Sequence, residues 1–234
     1  MPDTSERTLD RVGAFAGVAA VVLLLALFTV VPALPGPDAG IDEIAAKAAT
    51  NDTALLVGSY LGALMAAALL VFGSALAAAL RRGEGSGGGW WLIALAGSAA
   101  TSIGVAGNVM AASFVRAVQH GVRGDALWVG YGGEHASSTL LALPLAVFLL
   151  GAGLGARATG LLPRWLAWGA TATAVILAAG GASIAGNELE GGPLGSALVL
   201  GYVALLVWIV AVSVVLWRRS AATSVRREPA TTAV

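Results

Sequence analysis

Six long apolar segments, separated by short polar connections, dominate the pattern of hydrophobic and polar positions along the chain. A helix needs about 20 predominantly apolar residues to cross the hydrocarbon core of a bilayer, and each segment reaches this length. The pattern therefore predicts an all-α, polytopic membrane bundle of six transmembrane helices. The predicted spans are about residues 12–31, 54–80, 90–115, 136–156, 165–186 and 194–217.

The two ends of the chain complete this predicted organisation. Residues 1–11 are polar and precede the first span, and residues 218–234 form a polar tail for which we expect disorder. A basic start followed by an apolar segment also fits a signal peptide, but residues 12–31 exceed the usual apolar core of about 7–15 residues. No small-x-small cleavage motif follows them, so we predict an uncleaved helix and one transmembrane domain over residues 12–217.

The connection over residues 38–50 differs from the others because its apolar residues recur at helical spacing, with charged residues between them. This predicts a short amphipathic helix lying on the membrane surface. Its apolar positions are Ile41, Ile44, Ala45 and Ala48.

Basic residues are unevenly distributed among the polar connections, and this distribution predicts the orientation. Ten of the 13 basic residues fall in the N-terminus, the connections near 81–89 and 157–164, and the C-terminus. Only Lys47, Arg116 and Arg123 fall in the other connections. Because cytoplasmic loops carry the excess of Lys and Arg, we expect both termini in the cytoplasm of a bacterial cell, with the protein in its inner membrane.

Composition narrows the function classes. Only 11% of the residues are charged, against about a quarter in a soluble domain, and the formal net charge is zero. We therefore expect the lipid bilayer as partner, with a second copy or another membrane protein as further candidates, and no nucleic acid. The chain has no cysteine, which excludes disulfides and thiolate metal sites, and its 32 glycines favour close helix packing within the bundle.

Two stretches carry a resemblance to a known family. The first has Pro-Gly-Pro-Asp at 35–38, Ile-Asp-Glu-Ile-Ala at 41–45 and Asn-Asp-Thr-Ala-Leu-Leu-Val-Gly-Ser-Tyr-Leu at 51–61. The second has Leu-Pro-Leu-Ala-Val at 143–147 and Gly-Leu-Leu-Pro-Arg-Trp-Leu-Ala-Trp at 160–168. Together they resemble a group of uncharacterised actinobacterial integral membrane proteins that share a domain of unknown function. The resemblance implies a six-helix membrane protein and brings no substrate, cofactor or catalytic residue.

Candidate chemistry lies almost entirely at the predicted outer ends of the helices, where polar and ionisable residues gather. Such residues in or beside membrane helices are candidates for function, although headgroups and water also solvate them there. A site here would bind a polar ligand, a proton or a divalent metal. The candidate ligand-binding residues are Asn108, Arg116, His120, Glu134, His135, Asn187 and Glu188.

Known catalytic and cofactor patterns do not occur in the sequence. His120 and His135 are the only histidines and lie near the predicted surface, which disfavours transmembrane haem ligation, and no His-Glu-x-x-His or phosphate-binding glycine motif occurs. We therefore expect no cofactor and no resident metal. The first hypothesis is a non-enzymatic structural or regulatory partner, or a sensor of a small ligand.

Two alternatives remain open. One is a small transporter or channel, with a path lined by Ser98, Thr101, Ser102, Asn108 and Ser183. The other is a membrane enzyme that uses Glu134 and His135, with Glu134 near the start of the fourth helix.

Overall fold

The computed structural model describes residues 4–84, 89–185 and 192–225, and its regular structure within those ranges is entirely helical. Three short 3₁₀ turns, at Pro37–Ala39, Gly124–Leu127 and Ala182–Ala185, join longer α-helices. The α-helices are α1 (Thr4–Val30), α2 (Ile41–Thr50), α3 (Asp52–Glu84), α4 (Gly89–Gln119), α5 (Trp128–Leu140), α6 (Ala142–Thr159), α7 (Arg164–Gly181) and α8 (Pro193–Val225).

Six helical stretches in the described part of the chain are long and apolar enough to cross a membrane, which confirms the predicted all-α, six-span bundle. These are α1, α3, α4, the combined stretch from Gly124 to Thr159, α7 and α8. Most of the helices extend beyond the predicted apolar segments, because a helix can continue into the polar region as long as no residue interrupts its hydrogen bonds.

The fourth span differs most from its predicted boundaries. Residues 116–133 were expected to form a polar connection, but α4 continues to Gln119 and α5 already begins at Trp128. Glu134 therefore lies well inside α5 and not at the start of the span. Gly130 allows α5 to pack closely on α4, since a Cβ on Gly130 would come within 2.8 Å of Phe114 Cβ.

The fourth span is also interrupted near its middle. α5 ends at Leu140, Leu141 lies between the two helices, and α6 begins at Ala142. Pro144 explains this break, because proline has no N–H to donate to the carbonyl of Leu140 and its ring crowds that carbonyl.

The spans pack in chain order around a closed ring. Each of α1, α3, α4, α6, α7 and α8 packs against the next, and α8 returns to pack against α1. Apolar side chains of α3, α6 and α8 fill the centre of the ring, including Phe72, Leu76, Phe148 and Trp208. The ring thus encloses a packed core and not an open pore.

The predicted surface helix exists, as α2 over Ile41–Thr50, but its apolar face is covered by the protein itself. Ile44 is fully buried and belongs to a second apolar cluster that includes Phe114 of α4 and Leu127. Protein therefore buries the apolar face of α2, and the position of this helix at the membrane surface stays a prediction. A chain segment that is apolar along one side does not reveal whether lipid or protein covers that side.

The two ends of the bundle differ in charge. We term one of them the arginine end, where Asp10 of α1 pairs with Arg82 of α3 and Arg81 lies 5.0 Å from the ring of Trp90. At the same end, Arg157 lies 4.4 Å from the ring of Trp168. The opposite end carries α2, and we term it the α2 end.

Candidate functional site

A cavity of about 590 Å³ lies at the α2 end, between α1, α3, α4 and α5. We term it the wide cavity. Its walls are mostly apolar, with Phe28 and Val31 on α1, Leu55 on α3 and Ala111 on α4. The polar side chains that line it are Ser59, Asn108, Tyr131, Glu134 and His135.

Glu134 and His135 form an ion-pair contact within the wide cavity. His135 Nδ1 lies 2.9 Å from Glu134 Oε2 and 3.1 Å from the main-chain carbonyl of Tyr131. A carbonyl oxygen only accepts hydrogen bonds, so Nδ1 is the ring nitrogen that carries a hydrogen. The imidazole is therefore held as a donor towards the protein, with 30% of its side chain and 38% of the Glu134 side chain exposed.

Tyr131 fixes the position of this pair. Its hydroxyl donates to the main-chain carbonyl of Pro35 at 2.7 Å, which ties α5 to the segment that follows α1. Its ring lies 4.4 Å from the ring of His135 and 5.8 Å from that of Phe114. The aromatic packing sets where α5 presents Glu134 and His135.

Asn108 lines the wide cavity and also a second, smaller cavity of about 60 Å³ in the centre of the ring. Its Nδ2 donates to the carbonyl of Gly104 at 2.7 Å, and its Oδ1 lies against Gly62 of α3. We term the smaller space the central cavity; Thr101 also lines it, and its other walls are apolar. Asn108 therefore stands at the boundary shared by the two cavities.

An aromatic group borders the central cavity, which Phe72 and Phe148 help to line. The ring of Trp208 meets those of Phe72 and Phe148 edge-on, each at a centroid distance of 6.4 Å. The Trp208 Nε1–H donates to the buried carbonyl of Leu166 at 2.9 Å, which holds the indole in place. These three side chains close the centre of the ring.

Two of the predicted site residues lie outside the wide cavity. Arg116 is exposed and donates to Gln119 Oε1 at 3.0 Å, and Gln119 in turn donates to Asp52 Oδ2 at 2.7 Å. His120 is exposed immediately after α4. These side chains form part of the surface of the α2 end and do not line the wide cavity, so their part in ligand binding stays a prediction.

The remaining candidates, Asn187 and Glu188, lie outside the described residues. Within the described ranges, no group of three or more His, Cys, Asp and Glu side chains is arranged to hold a metal ion.

The hypothetical transport path is also not assembled. Only Asn108 and Thr101 face the central cavity. Ser98 and Ser102 are exposed on the surface of α4, and Ser183 is buried in the turn after α7.

Sequence reasoning missed Ser59 and Tyr131. Tyr131 follows Trp128 by three residues and precedes His135 by four, which places all three on one face of a helix. That signal was available, but residues 116–133 were interpreted as a polar connection. Ser59 had no signal of its own, because a serine inside an apolar helix is most often bonded to its own backbone, as it is here.

Fold and site together define a multi-pass helical membrane protein with a cavity near one end of its bundle. Searches among protein-family models, curated proteins and solved structures found no match to this chain.

Proposed function

We propose that this chain is a non-enzymatic ligand-binding protein of the bacterial inner membrane, which takes a small amphipathic molecule into the wide cavity. It would act as a sensor or as the regulatory partner of another membrane protein. The observation that carries the proposal is the convergence of Asn108, Glu134 and His135 on one cavity of about 590 Å³.

The size and lining of the cavity support binding of a small molecule. Ligand sites are commonly about 300–1,000 Å³, mostly apolar, with a few polar groups that fix orientation. The wide cavity has this character, with aromatic and aliphatic walls and its polar groups on α3, α4 and α5. An amphipathic molecule fits such a lining better than a fully polar one.

The charge distribution supports an orientation with the arginine end in the cytoplasm, both termini included. The α2 end then faces outwards, and the wide cavity samples the outer side of the membrane. The bilayer is the constant partner in this arrangement. A second copy of the chain or another membrane protein would bind along the lipid-facing helices.

The test is the thermal unfolding of the purified protein in phosphatidylcholine nanodiscs with four probes: n-octylamine, n-octanol, octanoate and trimethyloctylammonium. We expect at least one probe to raise Tm saturably. Ala111→Phe should abolish the shift because it fills the cavity, whereas Ala46→Phe, on the exposed face of α2, should retain it. The proposal is wrong if no probe separates the wild-type protein from Ala111→Phe.

A transporter is the second candidate, and the position of Asn108 between the two cavities favours it. Transport would require the rings of Phe72, Phe148 and Trp208 to separate. A flux assay in liposomes with the same probes distinguishes the two functions. Saturable binding without flux supports the sensor, and flux that Asn108→Leu removes supports the transporter.

A further inference from the structure

The polar groups around the wide cavity have already donated hydrogens to main-chain carbonyls. Ser59 Oγ donates at 3.1 Å, Asn108 Nδ2 at 2.7 Å and His135 Nδ1 at 3.1 Å, each to the carbonyl four residues earlier. The Tyr131 hydroxyl donates to Pro35 at 2.7 Å. The acceptors that the lining offers to a ligand are therefore the oxygen lone pairs of Ser59 and of the Glu134 carboxylate.

The charged residues that line the wide cavity favour the same kind of ligand as the hydrogen bonds do. Among the described residues that line the wide cavity, Glu134 is the only acidic one and none is a lysine or an arginine. A carboxylate accepts hydrogen bonds and does not donate them. The Glu134 side chain is 38% exposed, so its carboxylate can accept further hydrogen bonds beside its contact with His135, and a ligand with a positive charge gains most from this site.

From this arrangement we propose that the ligand of the wide cavity is an amphipathic primary ammonium compound, whose –NH₃⁺ group binds Glu134 and whose apolar tail lies along the cavity wall. The inference rests on the proposed function, because it names the class of ligand for the same cavity. A primary ammonium supplies three N–H donors and a positive charge, which matches both an acceptor-rich lining and a carboxylate.

The aromatic walls suit the same ligand. Phe28, Phe114 and Tyr131 line the wide cavity, and ring faces attract cations as well as apolar chains. α1 and α5 form the two ends of the cavity wall and do not pack closely against each other. Phe28 is 70% exposed on α1. The wall of the wide cavity formed by Phe28 therefore reaches the outer surface of the bundle, where an apolar tail has access to it.

The experiment measures the affinities of the same four probes for the protein in phosphatidylcholine nanodiscs. n-Octylamine should bind most tightly. n-Octanol lacks the charge, trimethyloctylammonium lacks the N–H donors, and octanoate carries the opposite charge. Equal or tighter binding of any of these three would overturn the inference. It would leave the proposed function intact, because the cavity would still bind a ligand.

The variant Glu134→Gln tests the contact itself. It keeps the shape of the side chain and removes its charge, so the affinity for n-octylamine should fall about tenfold or more, as expected for loss of a charge-assisted hydrogen bond. Glu43→Gln, an exposed acid on α2, is the matched control and should change nothing. Unchanged n-octylamine affinity in Glu134→Gln would overturn the inference. Failure of every probe to bind would overturn the proposed function as well.

The ammonium group can come from a free amine or from a lipid headgroup, and one further arm of the experiment decides between them. The n-octylamine titration is repeated in nanodiscs that contain phosphatidylethanolamine. Competition by this lipid would support the ligand class with a lipid headgroup as the source. An unchanged affinity would support the same class with a free amine as the source.

Discussion

At the residue scale, Asn108 is the side chain whose position depends most on a neighbour. Its amide oxygen packs directly on Gly62 of α3, and a Cβ at that glycine would meet Oδ1 at 2.1 Å. A side chain at residue 62 would therefore have to displace the one polar group that both cavities share. Gly62 is present because Asn108 must lie there, and not because the backbone bends.

We predict that Gly62→Ala destabilises the protein by about 1–3 kcal/mol, the usual cost of overpacking a well-packed interior. The measurement is the unfolding of the purified protein in detergent by circular dichroism. Gly104→Ala is the matched control, because a Cβ there meets nothing within 4 Å. The control should be neutral or stabilising, since alanine favours a helix by up to about 1 kcal/mol over glycine.

The double variant Gly62→Ala/Asn108→Ala should recover part of the lost stability, because it removes the atom that the new methyl group meets. Equal stabilities of Gly62→Ala and Gly104→Ala would show that Asn108 does not occupy this position.

At the element scale, the sequence predicted the six spans because each is a continuous apolar run that needs no knowledge of its neighbours. It missed the early start of α5 because Gly130, Gly132 and Gly133 lower helix propensity, whereas in the structure α4 packs against that segment. It also did not show that the protein itself covers the apolar face of α2. Both omissions have the same cause, which is that packing between helices overrides local preference.

The composition of the wide cavity has a similar explanation. Asn108, Glu134 and His135 were predicted as site residues because polar groups in membrane helices are rare. Arg116 and His120 do not join these three residues in the wide cavity, because the face of the helix that carries them near the end of α4 points elsewhere. That direction follows from the ring arrangement, which a single sequence does not encode in any local pattern.

The basic residues at the helix ends also predict the orientation of the protein. Cysteine labelling tests this prediction, because the chain has no cysteine of its own. Ala46→Cys at the α2 end and Ala158→Cys at the arginine end are matched variants at exposed positions. In intact bacterial cells, a membrane-impermeant maleimide should label Ala46→Cys, and it should label Ala158→Cys only after permeabilisation. The opposite pattern would place the arginine end outside.

At the scale of the whole molecule, the two halves of the closed ring differ: one is packed and the other contains the wide cavity. The half towards the arginine end is filled by apolar and aromatic side chains, including Phe72 and Trp208. The wide cavity lies at the α2 end, where α1, α3, α4 and α5 do not close together. In the proposed function, a ligand that binds there would contact four helices at once, and its binding would change the packing of the α2 end that a partner in the membrane contacts.

The central claim is that an amphipathic ammonium compound occupies the wide cavity with its amine at Glu134. The most direct measurement is the anomalous diffraction of crystals grown with saturating 8-bromooctylamine, in which bromine marks the end of the tail. We expect a bromine peak within the wide cavity, at the apolar wall near Phe28, and electron density for the amine within hydrogen-bond distance of the Glu134 carboxylate. A bromine peak elsewhere on the protein, or none in the wide cavity, would contradict this claim.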